Sequence, residues 1–262
     1  MDFQIAYALA GLVVGFAVGL TGIGGGALMT PILHLGFGVP VATAVGTDLL
    51  YAALTKTSSV YVHGRAGSVN WRVAGLLCLG SLPAAVITVI LIRSLELDSS
   101  QFDRLIVKTL SFAVLTTAVL IVLKNPIQRA LAAVRLPGCL SDSRCRNVLT
   151  VLGGVVLGCL VTLTSVGAGV LGTTMVLFLY PSLAAVGIVG TELAHAVPLT
   201  LVAGIGHLSL GTVDFALLGS LLLGSLPGAY AGSRLGASMS DRVLRPILAV
   251  MLVYIGWRLG FA

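Results

Sequence analysis

The stretch Gly19-Leu20-Thr21-Gly22-Ile23-Gly24-Gly25-Gly26 interrupts what otherwise reads as one long apolar helix. A second stretch, Val161-Thr162-Leu163-Thr164-Ser165-Val166-Gly167-Ala168-Gly169, does the same in the other half of the chain. Glycine inside a helix costs about 1 kcal/mol relative to alanine. In hydrocarbon, the backbone groups it frees must also find partners. A break of this kind, placed once in each half of a membrane chain, points to a transporter's substrate site.

The surrounding composition fixes the solvent. Of 262 residues, 57% are hydrophobic and only 9% charged, where a soluble domain carries about 25% charged residues. So apolar a surface is not tolerated in water. The runs are long and apolar all round, unlike the short alternating strands of a barrel, so the fold class is an all-α integral membrane protein. The net charge of +6 comes from basic residues gathered in loops, which suits retention on the cytoplasmic side and implies no nucleic-acid partner. Met1-Asp2-Phe3 shows neither the basic leader nor the cleavage site of a signal peptide. Cys78 and Cys159 lie in apolar runs and read as packing residues; Cys139 and Cys145 share a basic loop and are expected as free thiols.

Apolar runs fall at 3–20, 27–38, 42–62, 73–93, 104–123, 148–161, 170–180, 184–207, 214–235 and 243–261. The runs 27–38 and 170–180 are about half a membrane span and follow the breaks, so they read as half-helices. The division expected is a first transmembrane repeat over 1–123, a basic cytoplasmic linker over 124–147, and a second repeat over 148–262. Gly80-Ser81-Leu82-Pro83 recurs as Gly224-Ser225-Leu226-Pro227 (227 − 83 = 144). The same offset carries Val45-Gly46-Thr47-Asp48-Leu49 onto Val189-Gly190-Thr191-Glu192-Leu193, His63 onto His207, and Gly67 onto Gly211. The breaks align one residue adrift (164 − 21 = 143). This is the pattern of an internal duplication, two homologous repeats of about four membrane segments each.

Basic residues set the orientation. The linker holds Lys124, Arg129, Arg135, Arg144 and Arg146 against Asp142, which places it in the cytoplasm. Loop 63–72, with Arg65 and Arg72, falls on the same side, whereas the matching loop 208–213 has no positive charge. Loop 234–245 carries Arg234, Arg242 and Arg245 instead. That exchange favours repeats of inverted topology, although Arg258 counts against it; a parallel arrangement of eight spans is the rival.

Within the breaks, N–H groups at the start of a half-helix and the helix dipole favour an anion. Thr21, Thr164 and Ser165 add hydroxyls, and Gly24, Gly25 and Gly26 allow close approach to the backbone. Gly167, Gly169, Thr47 and Thr191 complete the substrate-binding set. The competing reading is tight helix packing through small residues.

Asp48 and Glu192 occupy equivalent positions, each after Gly-Thr. A carboxylate inside a membrane costs at least about 2.5 kcal/mol, which favours proton or cation coupling over a helix-start residue near the interface. His195 follows Glu192 by one turn and shares its face; it joins the coupling set or is a hydrogen-bonded core histidine. Lys56 has Thr200 as its counterpart. It either attracts an anion or snorkels to the cytoplasmic face, and snorkelling is slightly favoured. His63 and His207 end their spans and read as interfacial, with a gating role as the alternative. Pro83 and Pro227 read as kinks.

Several motifs are missing. The sequence has no phosphate-binding Gly-x-x-x-x-Gly-Lys-Ser/Thr loop and no HExxH pair, only the lone Glu192-Leu193-Ala194-His195. Ser165 lacks the glycine of a GxSxG nucleophile. No catalytic residue, metal or cofactor is expected.

The chain resembles the TauE/SafE family of bacterial membrane proteins, the sulfite exporters or toluenesulfonate uptake permeases. The resemblance rests on Gly15-Phe16-x-x-Gly19 through Gly22-x-Gly24-Gly25-Gly26, Pro31, Ala44-x-Gly46-Thr47-Asp48, Gly64-x-x-Gly67-x-Val69-x-Trp71 and Gly80-x-x-Pro83. It spans essentially the whole chain, with weaker copies in the second half, where Thr164-Ser165 and Ala168 replace a fuller glycine run. The resemblance implies a secondary transporter of small sulfur-containing or carboxylate-like anions, such as sulfite, thiosulfate or organosulfonates, multi-pass in the bacterial inner membrane. The reading is of an anion held between the two breaks, moved by alternating access and coupled to protons or another ion through Asp48, Glu192 and His195. The partners are the anionic substrate, the coupling ion and the lipid bilayer, with room for a homo-oligomer. The alternatives are a membrane-embedded enzyme using Glu192 and His195, or a cation carrier or channel using Asp48 and Glu192.

Overall fold

The computed structural model describes residues 2–21, 26–95, 98–133, 142–236 and 241–261, all helix and connecting turns. The first half contains α1 (Asp2–Thr21), α2 (Gly26–Pro31), α3 (Val41–Arg65), α4 (Trp71–Ser94) and α5 (Ser99–Ala133). The second contains α6 (Ser143–Thr164), α7 (Val170–Leu179), α8 (Ala185–Ser209), α9 (Phe215–Gly236) and α10 (Asp241–Phe261). After Pro31, α2 widens into a π-helical turn, Ile32–Gly36. The polar stretch 124–147 is helical at both ends, since α5 continues to Ala133 and α6 begins at Ser143.

Among the described residues, five helices are long and apolar enough to cross a membrane: Trp71–Ser94, Ser100–Leu123, Ser143–Thr164, Ala185–Ser209 and Phe215–Gly232. Helix α3 has the length, at 25 residues, but spends part of its apolar character on Asp48, Lys56 and Arg65. The shorter apolar helices Ala27–Gly36 and Val170–Leu179 stand where the two half-length runs fall. Leu79, Ile90, Phe112, Leu223 and Val250 project outward from the bundle, as a lipid-facing surface requires. Leu33, Leu49, Leu110, Leu199, Leu221 and Leu252 fill the interior.

Glycine decides which helices touch. Helix α1 packs on α9, where Gly11 and Gly15 face the backbone of Leu221 and Ser225, and Gly224 and Gly228 face that of Ala8 and Leu12. A Cβ on Gly15 would stand 2.7 Å from Ser225 Cα. Helix α4 packs on α6 in the same manner: Gly154 lies on Leu77, and a Cβ on Gly158 would meet Ser81 Cα at 2.9 Å. Small residues four apart let two backbones meet in a medium that supplies no hydrophobic drive between helices. Helix α3 packs on α8, and α5 on α10.

One loop expectation is corrected. Cys145 is disulfide-bonded, not a free thiol. It lies in the first turn of α6. Cys139 lies outside the described residues, while Cys78 and Cys159 are free.

Candidate functional site

The second break is resolved in detail. Helix α6 ends at Thr164, and Ser165 turns the chain in a left-handed conformation with φ 57°. Gly167 follows at φ 123°, a value that only glycine adopts without strain. Helix α7 restarts at Val170, with Gly172 N–H donating to Gly167 O at 3.0 Å and Thr173 N–H to Gly169 O at 2.9 Å. The N–H groups of Gly167, Ala168, Val170 and Leu171 have no hydrogen-bond partner among the described residues. They form the open N-terminus of a half-helix, where partial positive charge collects.

The hydroxyls beside the break differ in what they leave unspent. Thr164 is used locally, donating to Leu160 O at 2.6 Å and accepting from Val166 N at 3.1 Å. Ser165 is buried, and its Oγ stands beside the Asp48 carboxylate without a hydrogen bond of normal geometry. Of the first break, Gly22, Gly24 and Gly25 and the side chain of Thr21 lie outside the described residues, and Gly26 opens α2.

Two carboxylates reach the same interior. Asp48 is fully buried on α3 and Glu192 is 3% exposed on α8. Thr30 Oγ1 donates to Asp48 Oδ2 at 2.7 Å, while Asp48 Oδ1 and Glu192 Oε1 are both unpartnered. Gly172 of α7 lies against Glu192, so that a Cβ there would meet the carboxylate carbon chain at 3.0 Å. His195 is fully buried one turn on; its Nε2 and Ser81 Oγ share a hydrogen bond of 2.9 Å, and its Nδ1 is unpartnered. These are buried polar atoms with capacity to spare, which is costly unless something occupies it.

Lys56 lies in this interior rather than at an interface, contrary to the expected snorkelling. It is 7% exposed, and its ammonium donates to the carbonyl of Ala168 inside the second break. Asp48, Glu192 and His195 are all within its electrostatic reach. A lysine on the inner face of α3 turns its long stem into the bundle, and the unwound carbonyl accepts its hydrogen bond.

Other expected site residues are taken up by the scaffold. Thr47 Oγ1 accepts from Asp214 N at 3.1 Å, at the start of α9, and Thr191 Oγ1 accepts from Asn70 N at 2.9 Å, at the start of α4. Each threonine therefore steadies a helix start in the opposite half. His63 Nδ1 pairs with Ser68 Oγ at 2.8 Å, and His207 Nδ1 with Thr212 Oγ1 at 2.9 Å. His207 Nε2 also donates to Thr162 O at 2.8 Å, just before the break. Gly46 and Gly190 make room for these histidines: a Cβ on either would meet His207 Cβ or His63 Nδ1 at 3.0 Å.

Three participants went unremarked in the sequence: Thr30, Ser81 and Tyr51. Tyr51 is buried near Ser225 and Asp48. The offset of the halves was the signal available, since it carries Tyr51 onto His195 and Ser81 onto Ser225. Among the described residues, no group of three or more His, Cys, Asp or Glu could hold a metal ion.

Residues 7–259 match the family described as Sulfite exporter TauE/SafE. The chain is 36% identical over 256 residues to a probable membrane transporter protein, YjnA, of Bacillus subtilis (strain 168), covering 98% of this chain and 99% of that protein. It is 29% identical over 237 residues to the probable membrane transporter protein YdhB of the same organism, covering 88% and 90%. It is 26% identical over 258 residues to the probable membrane transporter protein MJ0441 of Methanocaldococcus jannaschii, covering 93% and 89%. No solved structure matches. A match over nearly the whole chain, on a helical bundle with a broken helix and ionisable groups in its interior, places the function in transport rather than catalysis: the chain belongs to the TauE/SafE family of membrane transporters.

Proposed function

We propose that the chain moves small anions across a bacterial inner membrane, with sulfur oxyanions such as sulfite or thiosulfate, or organosulfonates, as the cargo class. One observation carries the reading. The N–H groups of Gly167, Ala168, Val170 and Leu171 have no hydrogen-bond partner among the described residues and stand with the buried Ser165 hydroxyl at the head of a half-helix, beside the Lys56 cation. Unpaired N–H groups at a half-helix start solvate a negative group.

Alternating access needs two halves that can exchange roles. The reciprocal caps support inverted repeats. The beginning of α3, at Gly46 and Thr47, meets the end of α8, while the beginning of α8, at Gly190 and Thr191, meets the end of α3. Equivalent helices thus run antiparallel, as they do when one half is inserted upside down. Asp48 and Glu192, each with a free oxygen, are the coupling groups, accepting protons as the anion crosses.

Uptake of labelled sulfite and thiosulfate into proteoliposomes tests this. Flux should follow the anion gradient, and Ser165→Ala should raise the half-saturating concentration about tenfold, the equivalent of one hydrogen bond to a charged group. Flux that tracks a cation gradient whatever the anion would replace this reading with a cation carrier. In the same vesicles, Asp48→Asn and Glu192→Gln should flatten the pH dependence of uptake; an unchanged profile in both removes the carboxylates from coupling.

A further inference from the structure

A secondary transporter with a broken helix commonly holds its coupling cation on the carbonyls that the break exposes. Here the exposed carbonyl of Ala168 already has a cationic partner that belongs to the chain. The Lys56 ammonium crosses from α3 to reach it, and Lys56 is buried to 7% exposure. Its hydrogen bond among the described residues goes to that carbonyl, not to a carboxylate.

The surroundings are those of an ion site. Asp48 Oδ1 and Glu192 Oε1 are buried with no hydrogen bond of normal geometry, and Ser165 Oγ, three residues before Ala168, stands beside Asp48. Two carboxylates, a hydroxyl and an unwound carbonyl make the hard oxygen set that a small cation seeks. The halves are unequal at this point. Where the first supplies Lys56, the second supplies Thr200, whose hydroxyl turns back to Ala196 O at 2.9 Å on its own helix. Among the described residues, Lys56 is the one lysine or arginine that is buried.

We propose that Lys56 is a tethered cation standing in for a sodium ion at the Ala168 carbonyl, so that the carrier needs no sodium and gains a sodium site when the ammonium is removed. The inference rests on the transport reading above but is silent on the cargo. The ammonium offsets one unit of negative charge among the buried carboxylates and faces the incoming anion. Because it is covalently held, it is neither lost nor carried across with the cargo.

The experiment is thermal unfolding of the purified full-length protein in sodium gluconate against choline gluconate, with no sulfur anion present. The wild type and Lys56→Arg should melt alike in both salts. Lys56→Ala and Lys56→Gln should melt lower in choline and be raised by sodium, saturably, by about 3 °C or more. Adding Asp48→Asn to Lys56→Ala should abolish the sodium gain. Sodium stabilisation of the wild type would overturn the proposal, as would neutral variants that fold and ignore sodium. Neutral variants that fail to fold even when purified in sodium would overturn it too, since the ion would not have replaced the ammonium. Loss of sulfite flux with these melting shifts intact would dismiss the sulfur cargo and leave the role of Lys56 standing.

Discussion

At the scale of single residues, a few polar contacts link buried side chains across the interior. Thr30 is the clearest case. Its hydroxyl is the hydrogen-bond donor of the fully buried Asp48, at 2.7 Å. Thr30→Val keeps the shape and removes that donor, so it should cost about 1–3 kcal/mol, the price of an unmet buried acceptor. Denaturant unfolding in detergent measures this, and the loss should shrink when Asp48→Asn is present. Legibility differs among these residues for a physical reason. Asp48 and Glu192 stood out because a carboxylate in an apolar run is costly wherever its partners lie. Thr30 and Ser81 did not, because a hydroxyl in a helix can always fall back on its own carbonyls, and only the packing shows which ones reach across. Lys56 was misjudged because its stem is long enough for either outcome, and the direction is set by what stands opposite it on the neighbouring elements.

At the scale of elements, glycines divide into those that bear contact and those that do not. Gly80 faces Val155 N at 2.9 Å from where a Cβ would stand, and Gly224 faces Leu12 N at 2.9 Å, whereas Gly75 and Gly219 have nothing within 4 Å. Gly80→Val and Gly224→Val should therefore separate α4 from α6 and α1 from α9 and abolish folded protein. Gly75→Ala and Gly219→Ala should hold or raise stability by up to about 1 kcal/mol through helix propensity alone. Size-exclusion profiles and melting curves of the four variants decide it. The sequence showed where the helix breaks, since Ser165-Val166-Gly167-Ala168-Gly169 cannot continue a helix cheaply, and α6 does stop at Thr164. It did not separate the two uses of glycine. Tight packing and helix breaking draw on the same residue, and here both occur, the first at Gly154 and Gly158 and the second at Gly167 and Gly169.

At the scale of the molecule, the offset between the halves was legible because it preserved scattered polar landmarks, and the structure gives those landmarks reciprocal partners. His63 binds Ser68 as His207 binds Thr212, and Gly67 and Gly211 share positive φ values of 63° and 72°. What pattern alone could not supply was which helix of one half meets which helix of the other, for that depends on surfaces folded from distant segments. An antiparallel α3 and α8 puts their ends on opposite sides of the membrane. Single cysteines at Ala66 and Leu210, in a background lacking the native cysteines, should then be modified by an impermeant maleimide from opposite faces of oriented vesicles. Modification of both from one face would favour parallel repeats.

Thr47 reaching Asp214 while Thr191 reaches Asn70 is also the signature of an isologous interface, in which each partner lends the other the same patch of surface. Here that interface lies within one polypeptide. The two contacts exchange the same pair of helix ends, as the contacts of two dimer subunits do. Were the halves fused copies of one ancestor, each would be free to drift separately, and Lys56 standing opposite Thr200 across the offset is the mark such drift would leave.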